Sequence, residues 1–236
     1  MGKLLIEERE IVVPGQELAE GIDYLPGNDV IRDGEKLIAT KMGIAGVAGR
    51  LVKLVPLTGK YVPKKGDLII GEVTGINVSS WRVNFGWPFD ANLSLKEATS
   101  DFIERGADLS KYFNHGDVIV AQIVNVASSK VIDLSTKGPG LRKLGPGRLI
   151  KISATKVPRV IGKQGSMISM IKEYTGSKLM VGQNGIVWLS GDDPKKDALT
   201  VRVIRKIEAE SHISGLTERI KEFFRRCWNG REYKNR

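Results

Sequence analysis

The stretch VIGKQGSMISMIKEYTG, residues 160–176, decides how the C-terminal third of the chain folds. Gly162 and Gly165 enclose Lys163 and Gln164, and the isoleucines that follow at helical spacing predict an amphipathic helix. Two glycines allow the backbone to approach a sugar-phosphate chain closely, and free N–H groups at the start of a helix attract phosphate. This stretch therefore predicts a turn that can bind a nucleic-acid backbone.

The residues around this turn predict a small α/β domain. Residues 147–155 alternate apolar and polar side chains, which is typical of a strand. Pro158 suits the first turn of a short helix before the glycines, and Gly176 suits the end of the long helix after them. The predicted order up to this point is strand, short helix, glycine turn and long helix.

The remainder of this domain predicts a hairpin and a final helix. Asn184-Gly185 separates two strand-like runs and is typical of a hairpin turn. Asp193 and Pro194 predict the start of a helix over residues 194–210. The expected apolar face of this helix consists of Ala198, Val201, Ile204 and Ile207.

The complete order of elements resembles a type I KH domain over residues 147–210. The alternative is a generic α/β domain in which the glycines only make a tight connection. The resemblance implies that the loop contacts single-stranded RNA. The residues that it implies for this contact are Arg159, Gly162, Lys163, Gln164 and Gly165.

The positive charge of the chain is concentrated in the same region. The net charge is +10 over 236 residues. Residues 137–236 contain 22 Lys and Arg against 9 Asp and Glu, whereas residues 1–61 and 62–136 each carry a small negative net charge. Such a basic block attracts polyanions through counterion release. A solvated basic surface that keeps the chain soluble is the alternative.

Residues 62–137 predict five short strands with a long connection after the third. Gly66-Asp67 precedes the first strand and Gly116-Asp117 precedes the fourth. The strand number and the duplicated Gly-Asp pair resemble an S1-type RNA-binding domain, which is a five-stranded OB barrel.

The second of these strands carries the aromatic residues of the barrel. Alternation places Trp81 and Phe85 on one face and Arg82 on the other. Trp81 is a candidate base platform, although aromatic residues on barrel strands are more often core. Residues 91–94 (ANLS) stand where the family usually has a histidine, which favours backbone contact by loop residues over strong base stacking. The RNA-binding residues expected here are Trp81, Arg82 and Lys130.

Residues 1–61 predict a small, glycine-rich β domain. Strand-like runs begin at Ile11, Glu35 and Gly49. The weak charge and small size suit a docking piece, and an extension of the barrel is the alternative. We therefore expect a mainly β chain with an α+β C-terminal domain, divided into residues 1–61, 62–137 and 138–236. The last domain would include a basic C-terminal helix that docks through Leu216, Ile220, Phe223, Phe224 and Cys227.

Several classes of protein fit the composition poorly. Cys227 is the single cysteine, so neither a disulfide framework nor a cysteine zinc cluster is expected. No apolar run approaches the ~18–20 residues of a membrane span, and the acidic first ten residues argue against a secretory signal. His115 and His212 do not suggest a catalytic pair. We expect a cytoplasmic protein without catalytic activity, cofactor, metal or membrane contact.

The order of the three parts resembles the RNA-binding cap subunits of the archaeal exosome over essentially the whole chain. The segments that carry this resemblance are residues 12–15 (VVPG), 61–67 (YVPKKGD) and 182–185 (GQNG). A paralogous cap ends in a zinc ribbon, which one cysteine cannot build. The resemblance therefore points to the cap subunits with a KH domain.

This resemblance implies a non-catalytic role in an RNA-degrading assembly. Three caps, alone or mixed with the zinc-ribbon paralogue, would sit on a hexameric ring of RNase-PH-like phosphorolytic subunits. The N-terminal domain would grip the ring, the barrels would surround the entry pore, and the KH domains would lie outside. The cap would bind single-stranded RNA, guide its 3′ end inward for 3′-to-5′ degradation and stabilise the assembly.

Two other classes combine an S1-type barrel with KH modules. Transcription elongation or antitermination factors typically carry two KH modules, whereas one is recognisable here. In enzymes related to polynucleotide phosphorylase the KH domain precedes the barrel, which is the reverse of the order in this chain.

Overall fold

The structure, a computed structural model, describes residues 2–99, 108–211, 213 and 215–232, with side chains described as far as residue 227. The chain forms two compact units, Met1–Lys60 and Tyr61–Arg236. Among the described residues, no helix is long and apolar enough to cross a membrane. The three domain boundaries expected from the sequence remain a prediction.

The first unit consists of two four-stranded sheets. Its strands are β1 (Lys3–Leu4), β2 (Ile11–Val12), β3 (Glu17–Glu20), β4 (Leu25–Pro26), β5 (Val30–Asp33), β6 (Lys36–Ala39), β7 (Gly43–Ala48) and β8 (Leu51–Pro56). The sheets have the orders β1-β3-β6-β5 and β2-β7-β8-β4. Leu18 and Leu37 from the first sheet and Val12 and Val52 from the second are fully buried in one core.

The first half of the second unit is a closed barrel. Its strands are β9 (Leu68–Ile76), β10 (Ser80–Asn84), β11 (Ala91–Ser94), β12 (Val118–Val126) and β13 (Ile132–Ser135). The order β13-β11-β10-β9-β12 is closed by pairing of β12 with β13. A short helix α1 (Leu95–Ala98) follows β11, and residues 100–107 of the expected long connection lie outside the described range. The OB barrel expected from the sequence is confirmed.

The two Gly-Asp pairs make the same turn before β9 and β12. Gly66 and Gly116 have φ angles of 94° and 86°, in the left-handed region that favours glycine. The carboxylates of Asp67 and Asp117 each accept a hydrogen bond from the N–H three residues earlier, at 3.1 and 2.7 Å. Each glycine N–H donates to a carbonyl of a neighbouring strand, at 2.7 and 2.9 Å. The repeated motif therefore fixes the starts of two paired strands.

The second half of this unit has the element order of a type I KH domain. After the short strand β14 (Arg142–Lys143), which pairs with β12, its elements are β15 (Arg148–Lys151), α2 (Val157–Ile161), α3 (Ser166–Thr175), β16 (Lys178–Val181), β17 (Ile186–Ser190) and α4 (Pro194–Glu210). The sheet order is β15-β17-β16 and both pairings are antiparallel. Gly176 ends α3 in the left-handed conformation, and Asp193 caps α4 through the Lys195 N–H at 2.8 Å, as expected.

The buried face of α4 differs slightly from the expected one. Ala198 is exposed, although it was expected to face the core, whereas Val201 is half-buried and packs against the core as expected. The helix instead buries Leu199 and Val203, because larger apolar side chains gain more free energy from burial than alanine. The buried residues are Leu199, Thr200, Val203, Ile204 and Ile207.

A further helix, α5 (Leu216–Glu232), packs on the KH domain. Ile220 and Phe224 are buried, and the ring of Phe224 stacks on Tyr174 with centroids 4.7 Å apart and an interplanar angle of 6°. Cys227 is half-buried against the same core. The expected docking of this helix and the core role of Cys227 are confirmed, whereas His212 lies outside the described residues.

The barrel and the KH domain are joined by the side chain of Asn184. This residue lies in the turn between β16 and β17. Its Oδ1 accepts a hydrogen bond from the Ile70 N–H at 3.2 Å, and its Nδ2 donates to the carbonyls of Ile70 and Phe85, each at 2.8 Å. One amide thus satisfies three backbone groups of the barrel.

Gln183 and an apolar cluster complete this barrel–KH junction, defined by the turn 182–185 and the barrel surface beneath it. The Gln183 N–H donates to the Leu68 carbonyl at 2.7 Å, and its Oε1 accepts from the Leu68 N–H at 2.8 Å. A Cβ on Gly182 would lie 2.8 Å from the Ile70 nitrogen, so only glycine permits this approach. The buried apolar residues of the junction are Ile70, Val120, Leu144 and Trp188.

We expect Asn184→Ala to destabilise the second unit. The substitution leaves backbone groups of Ile70 and Phe85 without their hydrogen-bond partner, which costs roughly 2–4 kcal/mol of unfolding free energy. Urea denaturation followed by circular dichroism measures this loss. Asn77→Ala, at an exposed position, is the matched control, and equal unfolding midpoints for the two variants would contradict the role given to Asn184.

Candidate nucleic-acid interface

The glycine loop of the KH domain forms a tight turn between α2 and α3. Gly162, Gln164 and Gly165 have φ angles of 76°, 52° and 79°. The Gly165 N–H donates to the Gly162 carbonyl at 3.2 Å, which closes the turn. Lys163 and Gln164 are exposed at its tip. The loop therefore presents a cation and an amide on a defined backbone.

The two glycines of this loop are required for different reasons. A Cβ on Gly162 would lie 2.6 Å from the nitrogen and 2.7 Å from the Cβ of Met167, so a side chain there would displace the start of α3. A Cβ on Gly165 would have its nearest neighbour at 3.8 Å, so only its left-handed backbone favours glycine. Gly162 is thus required both by packing and by its positive φ angle, whereas Gly165 is required by its backbone conformation alone.

The start of α3 is open to an anion. No side chain caps the N-terminus of this helix, where Gly165 occupies the N-cap position. Uncapped N–H groups and the helix dipole both favour negative charge at this end. Arg159 on α2 and Lys163 are exposed and, in the part of the chain that the structure describes, form no ion pair with a carboxylate. These groups together suit contact with a phosphate.

The outward face of the barrel carries a row of polar side chains on adjacent strands. Arg82 on β10 pairs with Asn92 on β11, which pairs with Asp133 on β13. The Asp133 carboxylate accepts hydrogen bonds from the amides of Asn92 at 3.3 Å and Asn125 at 3.1 Å. Arg82 is exposed and lies over Gly75, where a Cβ would come within 2.8 Å of its Nε. We name Arg82, Asn92, Asn125 and Asp133 the polar row.

Trp81 does not belong to this outward surface. Its side chain is 0% exposed, its Nε1–H donates to the Phe113 carbonyl at 2.9 Å, and the two rings meet edge to face with centroids 5.4 Å apart. The expectation that Trp81 contacts RNA is therefore wrong, because the alternation that exposes Arg82 turns the indole into the barrel. Trp81 is a core residue.

Lys130 lies in the turn between β12 and β13. It is exposed and has a φ angle of 68°, and its N–H donates to the Ala127 carbonyl at 2.9 Å. The ammonium group is thus displayed on a hydrogen-bonded turn. Because β11 and β13 pair in parallel, this turn and the loop that precedes β11 lie at the same end of the barrel.

The expected site residues form two groups, one on each half of the second unit. Arg159 and the loop 162–165 lie together on the KH domain, whereas Arg82 and Lys130 lie on the barrel surface. The polar row was not predicted from the sequence, because Asn92, Asn125 and Asp133 are on three different strands. The alternation of polar and apolar residues in each strand could have indicated that these side chains point outward. Only the pairing of β11, β12 and β13 brings them together.

Two family models match the chain. The model for the RRP4, S1 domain matches residues 60–125, and the model for the KH domain matches residues 148–206. These ranges fall in the barrel and in the KH-like half of the second unit, and they agree with the fold of each.

Similarity to known proteins extends over nearly the whole chain. Exosome complex component Rrp4 of Pyrococcus furiosus is 41% identical over 224 residues, which cover 94% of this chain and 84% of that protein. Exosome complex component Rrp4 of Thermococcus kodakarensis is 41% identical over 227 residues, with 94% and 88% covered.

Similarity in structure agrees with similarity in sequence. A crystal structure assigned as an exosome complex RNA-binding protein matches with a TM-score of 0.65 and 32% identity, and the match covers 73% of this chain and 99% of that chain. The fold, the two domain matches and the extent of the whole-chain identity agree, and the chain belongs to the Rrp4 family of exosome complex components.

Proposed function

We propose that this chain is an RNA-binding cap component of the exosome. The observation that carries the proposal is the 41% identity to proteins named as exosome complex components, which extends across 94% of the chain. A KH domain and an S1-type barrel on one compact unit supply two RNA-binding modules. The alternative of a transcription elongation factor has no support from these comparisons.

The finer arrangement of the assembly is part of the proposal. Three caps, alone or with zinc-ribbon caps, sit on a hexameric ring of RNase-PH-like subunits in the cytoplasm. The ring performs the phosphorolysis, and the cap is non-catalytic. In this proposal, residues 1–61 dock on the ring, residues 62–137 surround its entry pore, and residues 138–236 contact RNA outside the pore. Single-stranded RNA binds the cap, and its 3′ end enters the ring.

The proposed RNA contacts are the exposed groups of the two site regions. Arg159 and Lys163 neutralise phosphates, and Gln164 offers an amide beside them. Gly162 and Gly165 hold the loop in the shape that brings these side chains and the start of α3 to the same strand of RNA. On the barrel, Arg82 and Lys130 supply the exposed cations.

The docking role rests on an apolar face of the first unit. Ile11 on β2 pairs with Ile44 on β7, which pairs with Val55 on β8. Ile11 is 62% exposed and Val55 is 56% exposed, so the three side chains form an apolar row on the outside of this sheet. We propose that this row, the outer apolar row, contacts the ring, because burial of exposed apolar surface drives protein association.

Affinity purification of the tagged chain from cells that express its native partners tests the proposed function. We expect RNase-PH-like ring subunits to co-purify in amounts similar to the tagged chain, together with RNA. Mass spectrometry of the purified complex measures both the subunits and their ratio. Recovery of RNA polymerase without ring subunits would overturn the exosome proposal.

The double variant Lys163→Asp, Gln164→Asp tests the KH loop. We expect about tenfold weaker binding of single-stranded RNA and a smaller salt dependence, because a phosphate contact is replaced by repulsion. Fluorescence anisotropy at several salt concentrations measures both quantities. The control is Ser169→Asp with Lys172→Asp on the exposed side of α3, which changes the net charge equally. Equal affinity of the two double variants would remove the loop from the RNA contact.

Val55→Asp tests the outer apolar row. We expect the charged side chain to weaken association with the ring at least tenfold, because a carboxylate would be buried without a partner. The stability of the first unit should change little, since Val55 is exposed. Ile31→Asp is the control, because Ile31 is 53% exposed on the other sheet. Size-exclusion chromatography with purified ring subunits measures the association, and loss of assembly in the control alone would place the contact on the other sheet.

A further inference from the structure

An exposed aromatic ring lies at one end of the barrel. Phe89, in the loop between β10 and β11, is 60% exposed, whereas its neighbour Phe85 is 1% exposed and Trp87 is half-buried against the barrel core. A single exposed apolar side chain is not unusual on a protein surface. Its significance depends on how firmly it is held and on what surrounds it.

The loop that carries Phe89 is anchored on both sides. Before Phe89, the Phe85 carbonyl accepts from Asn184 at 2.8 Å and the Gly86 N–H donates to the Asn84 side chain at 3.0 Å. After it, the Asp90 carboxylate accepts from the Thr74 hydroxyl at 2.9 Å. The backbone of the loop on both sides of Phe89 is therefore held in place, so stacking on the ring requires little ordering of the loop.

The surroundings of Phe89 suit a nucleotide. The turn that displays Lys130 lies at the same end of the barrel, because β11 and β13 are parallel neighbours. The polar row on the adjacent outward face offers the Arg82 guanidinium, whereas its two amides are hydrogen-bonded to the Asp133 carboxylate. The centre of a protein–protein contact is typically apolar and depleted in charge, whereas an aromatic ring beside cations is the arrangement that binds single-stranded nucleic acid.

We propose that Phe89 is a base-stacking residue, on whose ring one base of single-stranded RNA lies while Lys130 neutralises a nearby phosphate. The proposal rests on the proposed RNA-binding function and names a contact within it. Stacking on a ring accepts any base and is stronger for the larger purines, so the contact tolerates any sequence with a modest preference. It departs from the expectation that the loop residues of this barrel contact the RNA backbone in preference to stacking on its bases.

The test compares Phe89→Ala and Phe89→Trp in the full chain. Anisotropy is measured with labelled oligoadenylate, with oligouridylate, and with an abasic sugar-phosphate oligomer of the same length. We expect Phe89→Ala to weaken oligoadenylate binding about 5- to 100-fold, to affect oligouridylate less, and to leave the abasic oligomer unchanged. Phe89→Trp should retain the affinity, since it preserves the stacking surface. Val78→Ala, at a position 92% exposed, is the control.

Each other outcome overturns the stacking contact. Unchanged oligoadenylate binding by Phe89→Ala removes the contact and leaves the proposed function standing. If that variant also loses association with ring subunits, Phe89 is a protein contact instead. If Phe89→Ala weakens the binding of all three oligomers equally, the substitution affects contacts with the sugar-phosphate backbone and not with a base. Failure of the unmodified chain to bind any of the oligomers overturns the RNA-binding function as well.

Discussion

The arrangement of the second unit depends on one constraint, which is that the buried backbone groups of the barrel at Ile70 and Phe85 need hydrogen-bond partners. The Asn184 amide supplies three hydrogen bonds to them from the KH hairpin turn. A buried backbone group without a partner costs about as much as a lost hydrogen bond, so the junction stays closed. The barrel and the KH domain therefore present their surfaces in a fixed relation.

This fixed relation has consequences for RNA binding. The turn between β16 and β17 contacts the barrel, so in the proposed function the KH surfaces that contact RNA are the loop at 162–165 and the start of α3. The same asparagine holds the Phe85 carbonyl and so anchors the loop that displays Phe89. A single side chain thus supports both the relation of the two modules and the shape of a proposed contact. The excess positive charge lies in the KH region, whereas the proposed RNA contacts of the barrel are a few exposed cations and an aromatic ring.

Much of the fold could be predicted from the sequence, because its signals are local. Period-two alternation, the glycine turn and the caps at Gly176 and Asp193 each act within a few residues. The buried face of α4 was predicted only in part, because the rotation of this helix about its axis is set by which of its side chains fill the core. The burial of Trp81 does not follow from the sequence, because alternation divides residues between two faces without saying which face is inside. The pairing of β10 with β9 and β11 decides that.

The sequence by itself determined the domain types, their order, the position of the basic charge and the family resemblance. Only the tertiary structure decided that Trp81 is core, that Asn92, Asn125 and Asp133 form one row, and that Asn184 joins two domains. The physical reason is the range of the interactions. Turns and helix caps are settled within a few residues, whereas burial and long-range hydrogen bonds join residues up to 115 positions apart and exist only once the chain has folded.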